Sequence, residues 1–431
     1  MRLPVTTAVL FAGLTGPAFA QDFQSQDFQN SDRIQRGRYL AVLGDCAGCH
    51  TAPGGAPFAG GLALQTPFGT LVAPNITPDT ETGIGNMTDD EFLAVLHEGR
   101  GHNGKRLYPA MPYPAYTKMT DEDVMAMRAY FATIAPVKNP VVSNQLPFPL
   151  NIRLAMVFWN ALDFTSGRYQ PNPQKSAAWN RGAYIVEGPA HCGTCHTPKT
   201  LLGGDKNSAA LTGATLQGWF APDITNDPRK GIGAWSREDL AQYLKSGANK
   251  WTLASGPMGE AISHSTSQMN DEDILAIATY LKDSGEGTVS ARPDPLAANN
   301  NAMRAGAAIY KDSCAACHRD SGEGEVKLFP RLAGSAQVQS DDPTTLARVV
   351  LHGTRAVSTS GAPTAPAMPS FDWRLDDTQV AAVLTYIRNT WGNAAGSVSA
   401  GTVASQRAAL AKTPLDPRRL ETQNARGSQL P

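Results

Sequence analysis

Three five-residue strings in the sequence place two cysteines three positions apart, with a histidine directly after the second. They are CAGCH at 46–50, CGTCH at 192–196 and CAACH at 314–318, and together they contain all six cysteines of the chain. Cys-x-x-Cys-His is the attachment motif of c-type haem: the two thiols bond to the two vinyl groups of one porphyrin, and the imidazole binds the iron. The sequence therefore predicts three c-type haems. The predicted attachment residues are Cys46, Cys49, Cys192, Cys195, Cys314 and Cys317, with His50, His196 and His318 as proximal iron ligands.

Other interpretations of the cysteines explain the pattern less well. A disulfide framework is the ordinary expectation in an oxidising compartment, but the spacing within each pair is constant and a histidine always follows. A thioredoxin-type redox pair accounts for one Cys-x-x-Cys, but not for three trailing histidines. A zinc site usually needs two close ligand pairs, and Cys49 and Cys192 lie far apart in the sequence. Haem attachment is therefore the favoured interpretation.

A methionine follows each motif at a distance and is predicted to be the second axial ligand of the iron. Met111 lies in YPAMPY, Met258 in SGPMGE and Met368 in APAMPS. The neighbouring prolines and glycines favour loops, from which a thioether could reach the haem face. Histidine–methionine ligation raises the reduction potential and leaves no open iron position, which is typical of electron transfer.

Two further positions carry a candidate ligand in only two of the three repeats. The first, just before the last helix, is always apolar and is predicted to be a packing position. The second, near the end of a middle helix, is predicted to carry a helix C-terminal cation. The residues are Met119, Met269 and Leu375 at the first position, and His97, Lys245 and His352 at the second.

The elements that must position these residues recur three times, as expected for an internal repeat. Each copy has a helix before the motif, a middle helix, and a last helix that begins with a cap and acidic residues, as after Thr120 and Asn270. A glycine in the first helix of each copy would let the last helix cross closely. The predicted crossing pairs are Gly37 with Tyr130, Gly182 with Tyr280 and Gly306 with Tyr386.

The predicted fold class is all-α, with three tandem haem units joined by proline-rich linkers. The first twenty residues have a cationic start, a short apolar stretch and small residues at their end, which predicts a cleaved secretory signal. The predicted divisions are the signal peptide (1–20), haem unit one (33–145), a linker with an apolar helix (146–175), haem unit two (176–285), a second linker (286–299), haem unit three (300–396) and a loosely ordered polar tail (397–431).

Composition narrows the classes of partner. The 37 basic and 38 acidic residues give a formal charge of −1, so nothing indicates a nucleic-acid partner. Beyond the signal, no apolar run approaches the roughly 18 residues that a spanning helix needs. The mature chain is therefore predicted to be soluble, or to be held at a membrane by partners or by its surface.

With these residues in view, the chain resembles the three-haem cytochrome c subunits of membrane-bound dehydrogenases that oxidise alcohols, aldehydes, gluconate, sorbitol or fructose. The resemblance covers about residues 33–395 and rests on RGRYLAVLGDCAGCHT, APNITPD, WNRGAYIVEGPAHCGTCHTPK and GIGAWS. It implies class I cytochrome c domains in an electron-transfer subunit that is not an enzyme on its own.

The resemblance also implies the partners. A separate catalytic subunit, a quinoprotein, flavoprotein or molybdoprotein, would supply the electrons, and ubiquinone would accept them at the periplasmic face of the inner membrane. Some members of the family end in an apolar anchoring helix, from which the polar tail of this chain departs.

One segment has two open interpretations. NIRLAMVFWNALDF, residues 151–164, is apolar almost all round. It is predicted either to pack between the first two haem units, as such helices usually do, or to form a surface for the dehydrogenase subunit, lipid or quinone.

Two alternative functions stay open. A self-contained haem enzyme such as a peroxidase would need an open or displaceable iron ligand, which the three methionines speak against. A free-standing periplasmic carrier that serves a terminal oxidase would have the same haem sites but no dehydrogenase partner.

Overall fold

The structure is a computed structural model that describes residues 19–284 and 289–412, with the backbone alone for residues 19–28. The predicted signal peptide lies outside these ranges, except for its last two residues, and so do residues 413–431 of the predicted tail. Helices make up most of the regular structure, as predicted. Within the described ranges no helix is both long and apolar enough to cross a bilayer.

The first repeat is built on one helix before the cysteine motif and another far downstream. Thr120 begins the downstream helix as its N-cap, as predicted, because its side chain accepts from the Asp123 N–H. Thr88 and Glu91 form a capping box at the start of the middle helix. The elements are α1 (Phe19–Leu43), α2 (Cys46–His50), β1 (Ala63–Thr66), β2 (Gly69–Val72), α3 (Asp89–Glu98), α4 (Tyr113–Tyr116) and α5 (Asp121–Phe131).

The second repeat follows a single helix, α6 (Ala155–Asp163), and has the same order of elements. Asn270 caps its last helix, as predicted, by accepting from the Asp273 N–H. Ser236 and Asp239 form the capping box of its middle helix. The elements are α7 (Ala177–Glu187), α8 (Gly193–His196), β3 (Ala214–Leu216), β4 (Trp219–Ala221), α9 (Arg237–Ser246), α10 (Gly256–His264) and α11 (Asp271–Asp283).

The third repeat keeps the helix pair and adds a helix after it. Asp376 and Gln379 form a capping box on the last helix of the pair. The elements are α12 (Asn301–Ser313), α13 (Ala315–His318), α14 (Ala336–Gln339), α15 (Thr344–His352), β5 (Thr354–Arg355), β6 (Ala367–Met368), α16 (Asp377–Ile387) and α17 (Ala400–Ala411).

A glycine brings the first and last helices of each repeat into backbone contact, as predicted. A Cβ atom on this glycine would overlap a carbonyl oxygen of the facing helix, so a larger side chain would force the helices apart. The predicted tyrosine neighbours are confirmed at Tyr280 and Tyr386, whereas the three atoms nearest to Gly37 belong to the backbone of Ala126 and Met127. The built Cβ-to-carbonyl distances are 1.9 Å for Gly37–Ala126, 2.0 Å for Gly182–Ala276 and 2.2 Å for Gly306–Ala382.

The prediction of a loosely ordered tail from residue 397 is wrong for residues 400–411, which form α17. Ser399 caps this helix, and its alanine-rich sequence has a high helix propensity. Val403 and Leu410, two turns apart on one face, are 0% and 2% exposed in the core of the third repeat. Arg407 pairs with Asp377 at 2.8 Å. The tail as a whole is polar, so the burial of Val403 and Leu410 was not predicted.

The structure also contains three short antiparallel hairpins that were not predicted, β1–β2, β3–β4 and β5–β6. Each strand has only two to four residues. Such strands are too short for an alternating pattern to be recognised in the sequence. In the first two repeats the hairpin leads directly into the shared loops at 73–85 and 221–233.

Candidate haem sites

All six predicted attachment cysteines are unbridged and line one continuous cavity. In the first two repeats a sharp turn after the first helix brings the motif to this cavity. Asp45 makes the turn in the first repeat with φ of 46°, and its carboxylate accepts a 3.2 Å hydrogen bond from the Gly48 N–H. His191 makes the same turn in the second repeat with φ of 38°. Aspartate and histidine enter the left-handed region more often than most residues other than glycine.

The environment of the thiols does not favour disulfide or redox chemistry. Burial raises the pKa of Cys46 and Cys192 to about 12, and that of Cys314 to about 11. Disulfide exchange needs a thiolate, which cationic surroundings normally stabilise. Within the described residues there is also no cluster of three or more metal-binding side chains of the histidine, cysteine or carboxylate type. Haem attachment is the interpretation that these surroundings favour.

The three predicted proximal histidines share one orienting contact. In each repeat the Nδ1 atom donates to the carbonyl oxygen of a proline, because a carbonyl can only accept. Nε2 then carries the free lone pair, the form in which a histidine binds a metal. Burial lowers the pKa of all three imidazoles, which keeps them neutral. The contacts are His50 to Pro74 at 2.7 Å, His196 to Pro222 at 2.7 Å and His318 to Pro330 at 2.9 Å.

These prolines were missed in the sequence, although a signal was present. Pro74 and Pro222 lie in the shared APNITPD and APDITND loops, whose repetition marks a common task. In the third repeat Pro330 does the same from an unrelated stretch, FPRL. The contact uses a backbone carbonyl, so side-chain identity gives no direct indication of it.

The three predicted methionine ligands all line the cavity and are partly buried. Met111 lies on a turn, as predicted. The loop prediction is wrong for the other two. Met258 lies in the first turn of α10, because Pro257 next to it is compatible with a helix start. Met368 lies on β6, where it pairs with Thr354.

The competing apolar position is confirmed as a packing position. Met119 and Met269 are each 0% exposed, and Leu375 is 6% exposed, in the cores of their repeats. Each precedes the last helix of its repeat. These methionines pack in the protein core rather than opening onto the cavity.

The interpretation of the middle-helix position as a cation is wrong for His97. Its side chain is buried, and burial, with Arg168 nearby, lowers its pKa to about 4, so the ring is neutral. The Nδ1 atom lies 3.7 Å from Asp121 at the start of α5. Lys245 makes the matching connection in the second repeat, since its ammonium lies 3.1 Å from Asp271 at the start of α11. The position therefore ties the middle helix to the last helix in the second repeat, whereas neither nitrogen of the neutral His97 ring makes a hydrogen bond.

The cavity is large and mostly apolar. Its volume is about 2460 Å³, which exceeds the roughly 300–1,000 Å³ of one small-molecule site. In every repeat the lining includes both motif cysteines, the motif histidine and the predicted methionine. Two thiols, a neutral imidazole, a thioether and apolar walls form a donor set that fits one haem in each repeat.

In the first two repeats, a tyrosine of each repeat donates a hydrogen bond to an aspartate of the other. Tyr39 of α1 donates to Asp273 of α11 at 2.7 Å, and Tyr184 of α7 donates to Asp123 of α5. Each carboxylate also pairs with an arginine of its own repeat, since Arg181 binds Asp273 at 2.7 Å and Arg36 binds Asp123 at 2.5 Å. The two repeats thus face each other about an approximate twofold axis.

The third repeat lacks all three partners of this exchange. Counted from the crossing glycine, Ala305 and Ala308 stand where the other repeats have arginine and tyrosine. Gln379 stands where they have aspartate. The Arg-Gly-x-Tyr pattern in two of the three repeats was the signal for this paired interface, and the sequence analysis did not use it.

The third repeat instead docks on the second beside the methionine segments. Ser255, just before α10, forms an antiparallel bridge with Ala356, just after β5. The N–H of Val357 donates to the carbonyl oxygen of Ala254 at 2.9 Å. Both segments adjoin a predicted methionine ligand, so the sites of the second and third repeats are joined by backbone contacts.

The apolar segment 151–164 packs between the first two repeats, as the first interpretation predicted, and leaves its other face exposed. Its inward face packs between the first two repeats: Trp159 is 6% exposed and donates to the Leu202 carbonyl at 2.9 Å. Asn160 accepts from the Tyr113 hydroxyl at 2.6 Å. Its outward face is exposed, with Phe158 at 72% and Leu162 at 74%.

Comparison with known proteins gives one family. The model of the cytochrome c family matches residues 34–135, 180–285 and 303–391. The gluconate 2-dehydrogenase cytochrome c subunit of Pantoea cypripedii is 42% identical over 402 residues, 89% of this chain and 91% of the relative. The alcohol dehydrogenase (quinone) cytochrome c subunit of Gluconacetobacter polyoxogenes is 39% identical over 94% of this chain and 90% of the relative. The fructose dehydrogenase cytochrome subunit of Gluconobacter japonicus is 38% identical over 95% and 90%.

The resemblance seen in the sequence is therefore confirmed, and so is the helical fold with three family regions. Each region contains one cysteine–histidine motif and one predicted methionine ligand. The chain belongs to the cytochrome c family, whose members carry c-type haem and transfer electrons, and within it to the group of cytochrome c subunits of gluconate, alcohol and fructose dehydrogenases.

Proposed function

We propose that the chain holds three c-type haems and conducts electrons from a periplasmic dehydrogenase subunit to ubiquinone in the inner membrane. The observation that carries this proposal is the single cavity that receives two cysteines, a histidine and a methionine from every repeat. Because the three sets open into one space, electrons can pass between cofactors without leaving the protein.

The residues of each repeat have distinct tasks. The cysteines at 46 and 49, 192 and 195, and 314 and 317 would hold the haem covalently. His50, His196 and His318 would bind the iron, each held in its neutral form by a proline carbonyl. Met111, Met258 and Met368 would supply the second iron ligand. When bound in this way, haem supplies reversible one-electron chemistry at a raised potential.

The organisation of the chain follows from this assignment. Residues 33–145, 176–285 and 300–396 form the haem units, and the segments at 146–175 and 286–299 link them. A signal peptide at 1–20 directs export to the periplasm, where c-type haem is attached. The chain is itself no catalyst, since the relatives are named as cytochrome subunits of dehydrogenases. Substrate oxidation would belong to a separate subunit, a quinoprotein, flavoprotein or molybdoprotein.

The proposal is tested by isolating the affinity-tagged chain from its native membrane. A dehydrogenase subunit should co-purify, and the complex should reduce a short-chain ubiquinone when its substrate is added. A matched preparation from a strain without this chain should reduce an artificial dye but not ubiquinone. Recovery of a terminal oxidase without any dehydrogenase would favour the free-standing carrier. Quinone reduction that persists without the chain would contradict the proposal.

A further inference from the structure

Helix α6 turns apolar side chains outward and polar side chains inward, which is the reverse of the usual arrangement. Leu154, Phe158 and Leu162, each four residues after the last, are 69%, 72% and 74% exposed. The polar side chains of the helix, Asn160 and Asp163, point into the protein, where Asp163 accepts from the Thr200 hydroxyl at 3.2 Å. Surface helices normally turn their apolar side inward, so this face requires an apolar environment.

Neighbouring segments enlarge this surface. Phe148 and Ile152, before the helix, are 79% and 45% exposed. Leu201 and Leu202 are 97% and 53% exposed, and the Trp159 hydrogen bond to the Leu202 carbonyl holds their loop against α6. A soluble monomer rarely exposes so large a contiguous patch without a binding role. We call the seven residues the apolar face: Phe148, Ile152, Leu154, Phe158, Leu162, Leu201 and Leu202.

The edge of the apolar face is cationic. Arg153 donates to the carbonyl oxygen of Arg106 at 2.7 Å and lies over the Tyr108 ring at 4.7 Å. Lys105 lies near Arg153. Burial lowers the pKa of the Lys105 ammonium, and the charge of Arg153 lowers it further. Lys105, Arg106 and Arg153 make no ion pair with any of the described residues. The only acid of residues 146–175, Asp163, is turned inward.

We propose that the apolar face inserts into the surface of an anionic bilayer, with Lys105, Arg106 and Arg153 at the level of the lipid headgroups. A protein partner would usually contribute about one hydrogen bond per 100–200 Å² of interface, and the outward residues of α6 offer no side chain for one. Hydrocarbon needs none, and leucine and phenylalanine beside basic residues are typical of helices that lie in the interface. The inference rests on the proposed function only for the presence of the membrane.

This placement brings the haem cavity to the bilayer surface. Phe158, Leu162 and Leu202 belong to the apolar face and also line the cavity. An apolar electron acceptor dissolved in the membrane would therefore meet the cavity without crossing bulk water.

The test uses the purified, haem-loaded full chain and vesicle flotation, without any dehydrogenase subunit. The wild type should float with vesicles of phosphatidylcholine and phosphatidylglycerol. The triple variant Leu154→Ser/Phe158→Ser/Leu162→Ser should lose roughly 100-fold in partitioning, because three large apolar side chains are removed. The matched control Trp373→Ser/Val289→Ser removes side chains that are 81% and 71% exposed elsewhere, and should float like the wild type. Arg153→Gln should reduce the preference for phosphatidylglycerol about fivefold.

Equal flotation of the wild type and the triple variant would overturn the proposal. A second pair of results would also overturn it: the wild type does not float, and the triple variant no longer binds the dehydrogenase subunit. The apolar face would then be a protein interface. Haem content, measured for every variant, separates loss of binding from misfolding, and the single variant Phe158→Glu serves if the triple variant does not load haem. The purified chain could float with vesicles although no dehydrogenase subunit co-purifies with it from the native membrane. That combination would support the inference while contradicting the proposed function.

Discussion

Tyr39 in the first repeat donates a hydrogen bond of 2.7 Å to Asp273 in the second. The equivalent tyrosine of the second repeat, Tyr184, returns the contact to Asp123 in the first. Both carboxylates are almost fully buried, at 4% and 1% exposure. A buried carboxylate that loses a donor keeps its desolvation cost, so the two repeats stabilise each other through the exchange.

A double-mutant cycle tests this exchange. Tyr39→Phe and Asp273→Asn should each destabilise the protein, and together they should cost less than the sum, with a coupling of about 1.5–3 kcal/mol as for a hydrogen bond to a charged group. The measurement is the free energy of unfolding in denaturant. The mismatched pair Tyr39→Phe with Asp377→Asn, whose aspartate lies in the third repeat and pairs with Arg407, is the control and should be nearly additive. Strict additivity of the matched pair would contradict the account.

The three methionines should behave alike and differently from their buried neighbours. Met111→Ala, Met258→Ala and Met368→Ala should each remove about one third of the methionine–iron charge-transfer absorption and lower one of three reduction potentials. Each should also let the reduced protein bind carbon monoxide at one site. Met119→Leu, a core position, is the control and should leave the spectrum unchanged. A methionine whose removal changes nothing is not a ligand.

His97 predicts a pH dependence of stability. Burial lowers its folded pKa to about 4, whereas the unfolded value is about 6.5. Between these values the unfolded chain binds more protons, so this residue's contribution is complete above pH 6.5 and is lost as the pH falls to about 4. His97→Gln should therefore flatten the decline in melting temperature over this window relative to the wild type. Parallel curves would show that His97 does not titrate in this way.

The last described helix should be part of the third repeat. Leu410→Ala should lower the free energy of unfolding by about 2–5 kcal/mol, as for other buried leucines. The exposed position Ser405 on the same helix supplies the control, since Ser405→Ala should change stability little. A negligible effect of Leu410→Ala would mean that α17 is not packed as described.

Features that depend on side-chain type and spacing could be predicted from the sequence. The crossing glycines Gly182 and Gly306, with their tyrosine neighbours, and the packing role of Met119 followed from comparing the three repeats. The proline carbonyls that orient the histidines did not, because a backbone acceptor has no residue signature. Met258 was placed on a loop because proline and glycine suit helix starts as well as turns.

Contacts between repeats were harder to predict than contacts within them. The tyrosine–aspartate exchange joins residues more than 200 positions apart at Tyr39 and Asp273, and no local pattern specifies such a partner. The sequence shows that the third repeat has Ala308 where the other two have tyrosine. This difference indicates a missing contact only once it is known which repeats face each other. The tail helix was missed because the tail as a whole is polar, although residues 400–411 are rich in alanine and bury Val403 and Leu410.

Covalent attachment of haem at every motif is the central claim, and the intact mass of the unfolded protein tests it most directly. Protein from the native host should exceed the mass of the mature polypeptide by three haems, and Cys→Ala changes at both cysteines of one motif should remove one haem each time. A mass equal to that of the bare polypeptide, or one that does not fall when a motif is removed, would contradict the account.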